Sequence, residues 1–166
     1  MPDEIQLSLG VGRLLKVQGL WLATAESCTG GLLGHLITSI GGSSEYYLGG
    51  FISYSNYAKQ CFLGVRSATL KSFGAVCGEA VFEMARGVRE AFKGEQDITK
   101  IIGVSISGIA GPGGGTPEKP VGTVWIGISS EAGDNAVCFH FTGDRSAIKN
   151  QSARQALELL ISRLSQ

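Results

Sequence analysis

Apolar residues recur along this chain with two different periods, and the places where one period gives way to the other outline its elements. Residues 1–18 carry Ile5, Leu9, Gly12 and Leu15 on one helical face. Leu7, Val11 and Leu14 widen that stripe and Gly19 ends it, which predicts a helix covered on more than one side. The short apolar run from Leu20 to Ala25 predicts a buried strand. Leu32, Leu33, Leu36, Ile37 and Ile40 then return at helical spacing. Residues 46–55 read as a strand interrupted by Gly49 and Gly50, a turn or bulge. A short helix with Ala58, Lys59, Phe62 and Leu63 follows, then a small helix ending at Phe73 for which Ser67 is the candidate cap.

The second half is more regular. Val81, Met84, Ala85, Val88 and Phe92 form the inward face of an amphipathic helix, and residues 100–106 form a strand. Residues 107–120 hold too many glycines and prolines for any regular element, so they predict a long loop of the kind that carries function. Residues 121–129 and 136–141 alternate as an antiparallel hairpin, and Gly143-Asp144-Arg145 opens a last helix buried through Ala147, Ala153, Ala156, Leu157, Leu160 and Leu164. This order predicts an α/β fold, a three-layer αβα arrangement with a mixed sheet flanked by helices on both faces, as a single domain over residues 1–166.

Composition narrows the class. With 43% hydrophobic and 17% charged residues the chain is globular, and its zero formal charge leaves no basic face for an electrostatic grip on nucleic acid. Cys28, Cys61, Cys77 and Cys138 show no zinc-ligand spacing, and the acidic residues are scattered, so no metal site is expected and free thiols in a cytoplasmic setting are. No apolar run is long enough for a membrane span, and Asp3 and Glu4 stand where a secretory signal would be basic.

Three polar clusters fall at element ends, where an α/β sheet gathers its loops: residues 26–31, residues 54–59, and residues 107–119 together with Arg145. Ser27, Cys28 and Thr29 sit where a strand hands over to a helix, with Gly30 and Gly31 leaving the backbone accessible. The residues alone leave two readings open, a nucleophile at Ser27 or a helix cap at Ser27 or Thr29. Lys59, with a lowered pKa, could activate the serine, and Tyr54 could relay the proton; the plainer alternative makes them sheet surface and a solvated charge. Glu26 could orient an amine or a backbone group, or serve as a helix-end charge. Cys28, a thiol at the same junction, is the second-choice nucleophile. His35 falls mid-helix and His140 inside a strand, which disfavours a Ser-His-Asp triad. The Gly-rich loop and Arg145 could hold an anion, although neither a P-loop nor a dinucleotide fingerprint is present.

Thr24-Ala25-Glu26-Ser27-Cys28-Thr29-Gly30-Gly31, Tyr54-Ser55-Asn56-Tyr57-Ala58-Lys59, Ser107-Gly108-Ile109-Ala110-Gly111-Pro112 with Lys119-Pro120-Val121-Gly122-Thr123-Val124, and Gly143-Asp144-Arg145 together resemble the CinA C-terminal domain family over nearly the whole chain. The resemblance implies a nicotinamide-nucleotide amidase of the stand-alone form, hydrolysing nicotinamide mononucleotide to nicotinic acid mononucleotide and ammonia without a cofactor. It implies Ser27 as nucleophile with Tyr54 and Lys59 as activating partners. It places Glu26, Cys28, Thr29, Gly30, Gly31, Ser107, Gly108, Gly111 and Arg145 at the substrate, with the Gly-rich loop and Arg145 on the phosphate. Backbone N–H groups at the start of the helix after Thr29 are the expected oxyanion donors, each worth about 3 kcal/mol. The expected partners are the nucleotide substrate and a second copy of the chain in a homodimer. Cys77 departs from the family's usual serine. The competing functions are a catalytically silent nucleotide-binding or regulatory module, a cysteine hydrolase using Cys28, and a Tyr/Lys dehydrogenase whose Tyr54-to-Lys59 spacing is one residue too long.

Overall fold

The computed structural model describes residues 2–166. Its elements run α1 (Pro2–Gln18), β1 (Trp21–Glu26), α2 (Leu32–Thr38), β2 (Tyr47–Ile52), α3 (Asn56–Leu63), α4 (Ser67–Phe73), α5 (Gly78–Phe92), β3 (Ile101–Gly108), β4 (Thr123–Ser130), β5 (Gly133–His140) and α6 (Arg145–Leu164). Single-turn 3-10 segments lie at Ser43–Glu45 and Ile98–Lys100. The strands form one sheet in the order β2-β1-β3-β4-β5. β1 pairs in parallel with both β2 and β3, whereas β3-β4 and β4-β5 are antiparallel. The sheet is therefore mixed, as the order of elements predicts.

Alternation along the strands sorts the core into two layers. Leu22, Ile102, Val104, Ile106 and Ile126 meet Val11, Leu15, Leu33, Ile37, Ile148, Leu157 and Leu160 from α1, α2 and α6. On the opposite face Ala23, Ala25 and Ile101 meet Leu63, Met84 and Val88 from α3 and α5. Gly103 and Gly127 let α5 lie directly on the sheet, because a Cβ at either position would run into the carbonyl of Ala85 or Val81.

Several expectations need correction. The buried face of α1 is Ser8, Val11, Gly12 and Leu15, while Ile5 and Leu9 are exposed, because Tyr46 packs its ring over the bare Cα of Gly12. On α3, whose faces the pattern leaves open, Phe62 is exposed and Lys59 buried, which removes the alternative of a solvated charge. α4 begins at Ser67 itself, and the cap position before it is Arg66, whose N–H and guanidinium reach the Glu83 carboxylate. Ser107 and Gly108 end β3, so the irregular loop starts at Ile109. The bulge in β2 falls at Leu48, where the register against β1 skips one residue. Among the described residues no helix is long and apolar enough to cross a membrane.

Candidate active site

β1 leads through α2 to β2 on one side, and the chain then crosses the opposite face of the sheet to reach β3 on the other side of β1. The carboxyl end of β1 is thus the switch point, where open α/β sheets place ligands. A cavity of about 210 Å³ opens there, lined by Ser27, Cys28, Tyr54, Asn56, Lys59, Ala75, Val76, Ser107, Gly108, Ala110 and Arg145. Larger clefts lie elsewhere, one of about 490 Å³ between α3 and α5 and one of about 330 Å³ beside α1, but neither places a serine beside a buried lysine.

Ser27 follows β1 directly and its N–H donates to the carbonyl of Ile106 at 2.9 Å, which ties the residue to β3. Lys59 rises from the second turn of α3, a helix capped by Ser55, whose hydroxyl accepts from the Ala58 N–H at 3.1 Å. The Lys59 side chain runs inward and is 1% exposed. Its Nζ donates to Ser27 Oγ at 2.9 Å and to the Ser53 carbonyl at 2.7 Å, with no carboxylate partner among the described residues. Burial lowers its pKa from the ordinary 10.5, a shift that the nearby Cys28 thiol opposes. An amine so placed gives up its proton more readily than one in water, and it touches the hydroxyl it would deprotonate.

Cys28 lines the same cavity, but burial pushes its thiol up to about 11, which keeps it protonated and unreactive at neutral pH. The second-choice nucleophile is thus disfavoured, because α2 starts only at Leu32 and the cysteine lies buried in the turn before it.

Glu26 serves the backbone rather than the substrate. Its carboxylate is 2% exposed, does not line the cavity, and accepts from the N–H groups of Gly31 (3.0 Å), Leu33 (3.1 Å) and Gly34 (2.8 Å). It caps α2 from a distance, so neither Ser27 nor Thr29 is the cap; Gly31, with φ of 98°, holds the cap position without a side chain. Three of the expected oxyanion donors at the start of α2 are therefore taken. What remains in the turn are the N–H groups of Cys28 and Thr29, which no main-chain carbonyl accepts among the described residues. Glu26→Gln keeps the shape but leaves one oxygen for three donors. We expect it to destabilise the fold by roughly 1–3 kcal/mol, read as a lower urea midpoint at unchanged slope.

Tyr54 lies on the cavity rim with its ring 62% exposed, and its hydroxyl accepts from Arg145 Nη2 at 2.8 Å, not from Ser27 or Lys59. Arg145 Nη1 donates to the Gly111 carbonyl at 2.6 Å. Arg145 thus straps the Gly-rich loop to the end of β2, and Asp144 caps α6 through the Ala147 N–H at 2.8 Å. Ser107 and Gly108 line the cavity, with the Ser107 hydroxyl donating to Ala75 O at 2.7 Å. Thr29, Gly30, Gly31 and Gly111 do not line it. Cys77 stands at the cap of α5, where its sulfur accepts from Ala80 N–H and its S–H donates to Gly74 O, both at 3.3 Å. Its departure from serine therefore falls on a helix cap outside the cavity. Sequence reasoning missed Asn56, Ala75, Val76 and Ala110 as lining residues. Asn56 and Ala110 lie inside motifs already singled out, whereas only the turn before α5 announces Ala75 and Val76. His35 and His140 are exposed and away from the cavity.

A mixed sheet that holds a buried serine–lysine pair at its switch point defines an α/β domain with its polar side chains gathered in a cavity at the carboxyl edge. Residues 4–164 match the family model described as CinA C-terminal domain, and the chain belongs to that family. It is 45% identical over 161 residues to the nicotinamide-nucleotide amidohydrolase PncC of Escherichia coli K12, covering 95% of this chain and 93% of that protein. It is 49% identical over 158 residues to a putative competence-damage inducible protein of Moorella thermoacetica, but spans only 37% of that longer protein's length. Among solved structures, a CinA superfamily protein from Klebsiella pneumoniae superposes with a TM-score of 0.89 at 34% identity, covering 98% of each chain. The competence/damage inducible protein CihA of Agrobacterium tumefaciens gives 0.87 at 38% identity, over 99% of this chain and 96% of that one.

Proposed function

We propose that this protein is a nicotinamide-nucleotide amidohydrolase that converts nicotinamide mononucleotide and water to nicotinic acid mononucleotide and ammonia through an ester on Ser27. The observation that carries the mechanism is the 2.9 Å contact between Lys59 Nζ and Ser27 Oγ in a buried, carboxylate-free setting. Neutral Lys59 takes the hydroxyl proton as Ser27 Oγ attacks the carboxamide carbon, and the oxyanion that forms accepts from the N–H of Cys28, which lines the cavity. The Lys59 ammonium returns that proton to the departing nitrogen, the C–N bond breaks, and ammonia leaves. Water then attacks the ester as Lys59 takes its proton, the C–O bond to Ser27 breaks, Lys59 reprotonates Ser27, and the carboxylic acid is released and gives its proton to the solvent.

The cavity is smaller than the roughly 300–1,000 Å³ that encloses a whole drug-sized ligand, so it suits the carboxamide-bearing ring with the remaining nucleotide outside. Tyr54 borders that opening beside Arg145 and takes no part in the proton path. PncC-named relatives matched at 45–46% identity over 90% or more of their own length support the substrate.

The test is ammonia release from nicotinamide mononucleotide by the purified chain, with nicotinic acid mononucleotide formed in equal amount. Tight binding without ammonia would instead make the chain a nucleotide-binding module. Cys28→Ala is expected to keep activity within about threefold of wild type, because a thiol held protonated by burial is a packing group here. A cysteine mechanism requires the opposite.

A further inference from the structure

The side chain expected to hold the phosphate is already engaged. Arg145 commits Nη1 to the Gly111 carbonyl and Nη2 to the Tyr54 hydroxyl. One turn further along α6, on the same face, stands Lys149. Its half-buried side chain reaches back over the Ser27 turn. The ammonium lies 3.8 Å from the point a Cβ on Gly30 would occupy, and outside the flanking residues no other heavy atom comes within 4 Å of that point. Gly30 itself is exposed, so the space above it is open and bounded by bare backbone and one cation.

Some helix cations have carboxylates: Lys16 pairs with Glu45, Arg86 with Asp134, and Arg154 with Asp3 and Glu158, whereas Arg89 and Arg163 are held by carbonyl and hydroxyl oxygens. Among the described residues Lys149 has none. An unpaired ammonium beside a side-chain-free turn, next to a cavity that takes only part of a nucleotide, is the arrangement a phosphate monoester requires.

We propose that Lys149, over Gly30, is the phosphate-recognition residue of this site, and that Arg145 is a positioning residue that fixes the Gly-rich loop and Tyr54. The assignment rests on the amidohydrolase reading for its substrate. The ring enters the cavity, the ribose crosses its rim, and the phosphate is met by the Lys149 ammonium. Selectivity for the nucleotide over the nucleoside then comes from this one cation, which acts on binding and not on the chemistry at Ser27.

The experiment compares wild type, Lys149→Gln and Lys149→Arg on nicotinamide mononucleotide and on its phosphate-free riboside. Lys149→Gln is expected to raise KM for the nucleotide about tenfold or more with kcat within about threefold, while the riboside kinetics move less than twofold. Lys149→Arg is expected to restore most of the nucleotide KM. Ribose 5-phosphate is expected to compete with the nucleotide in wild type and about tenfold more weakly in Lys149→Gln, with inorganic phosphate competing through the same residue and ribose not at all. An unchanged nucleotide KM in Lys149→Gln, or an equal rise for the riboside, overturns the assignment. If wild type releases no ammonia, the amidohydrolase reading fails on its own. Calorimetric binding of ribose 5-phosphate to wild type and Lys149→Gln then decides the phosphate site, equal affinity overturning it.

Discussion

Ser27→Ala is expected to lower ammonia release from nicotinamide mononucleotide by at least about 10⁴-fold while leaving the fold intact. Removing a nucleophile that acts as one unit with its base costs nearly the whole of the covalent route, and substrate binding and backbone N–H groups supply only the residual rate. The side chain removed is small and 7% exposed, and its N–H bond to Ile106 stays, so the thermal midpoint should shift little. Nucleotide affinity, measured by calorimetry, should stay within a few-fold of wild type, because Ser27 contacts the carboxamide and not the rest of the ligand. Substantial turnover by this variant would remove the serine ester from the mechanism and return attention to water or to Cys28.

Lys59 carries the second large effect, and its pH dependence has a defined sign. Lys59→Met is expected to lower kcat about 10²–10⁴-fold, the range for loss of a positioned general base. Lys59→Arg should be equally inactive, since a guanidinium keeps the charge but cannot accept the serine proton. In wild type kcat/KM should rise with pH until Lys59 is deprotonated, along a limb that lies below 10.5 because burial lowers the pKa. That limb should vanish in Lys59→Met.

The same shift makes stability depend on pH. Between the folded pKa of Lys59 and 10.5 the unfolded chain holds a proton that the native chain does not. This contribution to stability therefore grows as pH rises through that window. Cys28 acts in the opposite sense from pH 9 upward, its thiol being raised to about 11 in the fold. Urea unfolding followed as pH rises toward 10.5 should show wild type gaining stability relative to Lys59→Met. A parallel pair of curves would mean that the lysine is charged in both states and cannot serve as the base at neutral pH.

The elements were legible because each has a periodic pattern strong enough to survive its context. The five strands, the amphipathic face of α5 and the hairpin β4-β5 all lie where alternation or helical spacing puts them, with ends displaced by up to three residues. The face of α1 was misread, and that of α3 was left open, where single side chains meet particular neighbours. Tyr46 claims the surface of Gly12, and Lys59 leaves solvent for a buried carbonyl and a hydroxyl. Hydropathy alone assigns a lysine to the outside, because nothing local reveals an internal hydrogen-bond partner thirty-two residues away.

The sequence by itself determined the α/β order, the polar junction after the first strand, and the motifs that carry Ser27 and Lys59. Which groups act on one another was decided only in three dimensions. Glu26 spends its charge on three backbone donors of α2, Arg145 turns to Tyr54 and Gly111, and Lys149 is left unpaired above Gly30. The physical reason is that a charged or polar side chain has several partners within reach of its own segment. The choice among them is fixed by burial, by the twist that brings strand ends together, and by which competing donors are already satisfied.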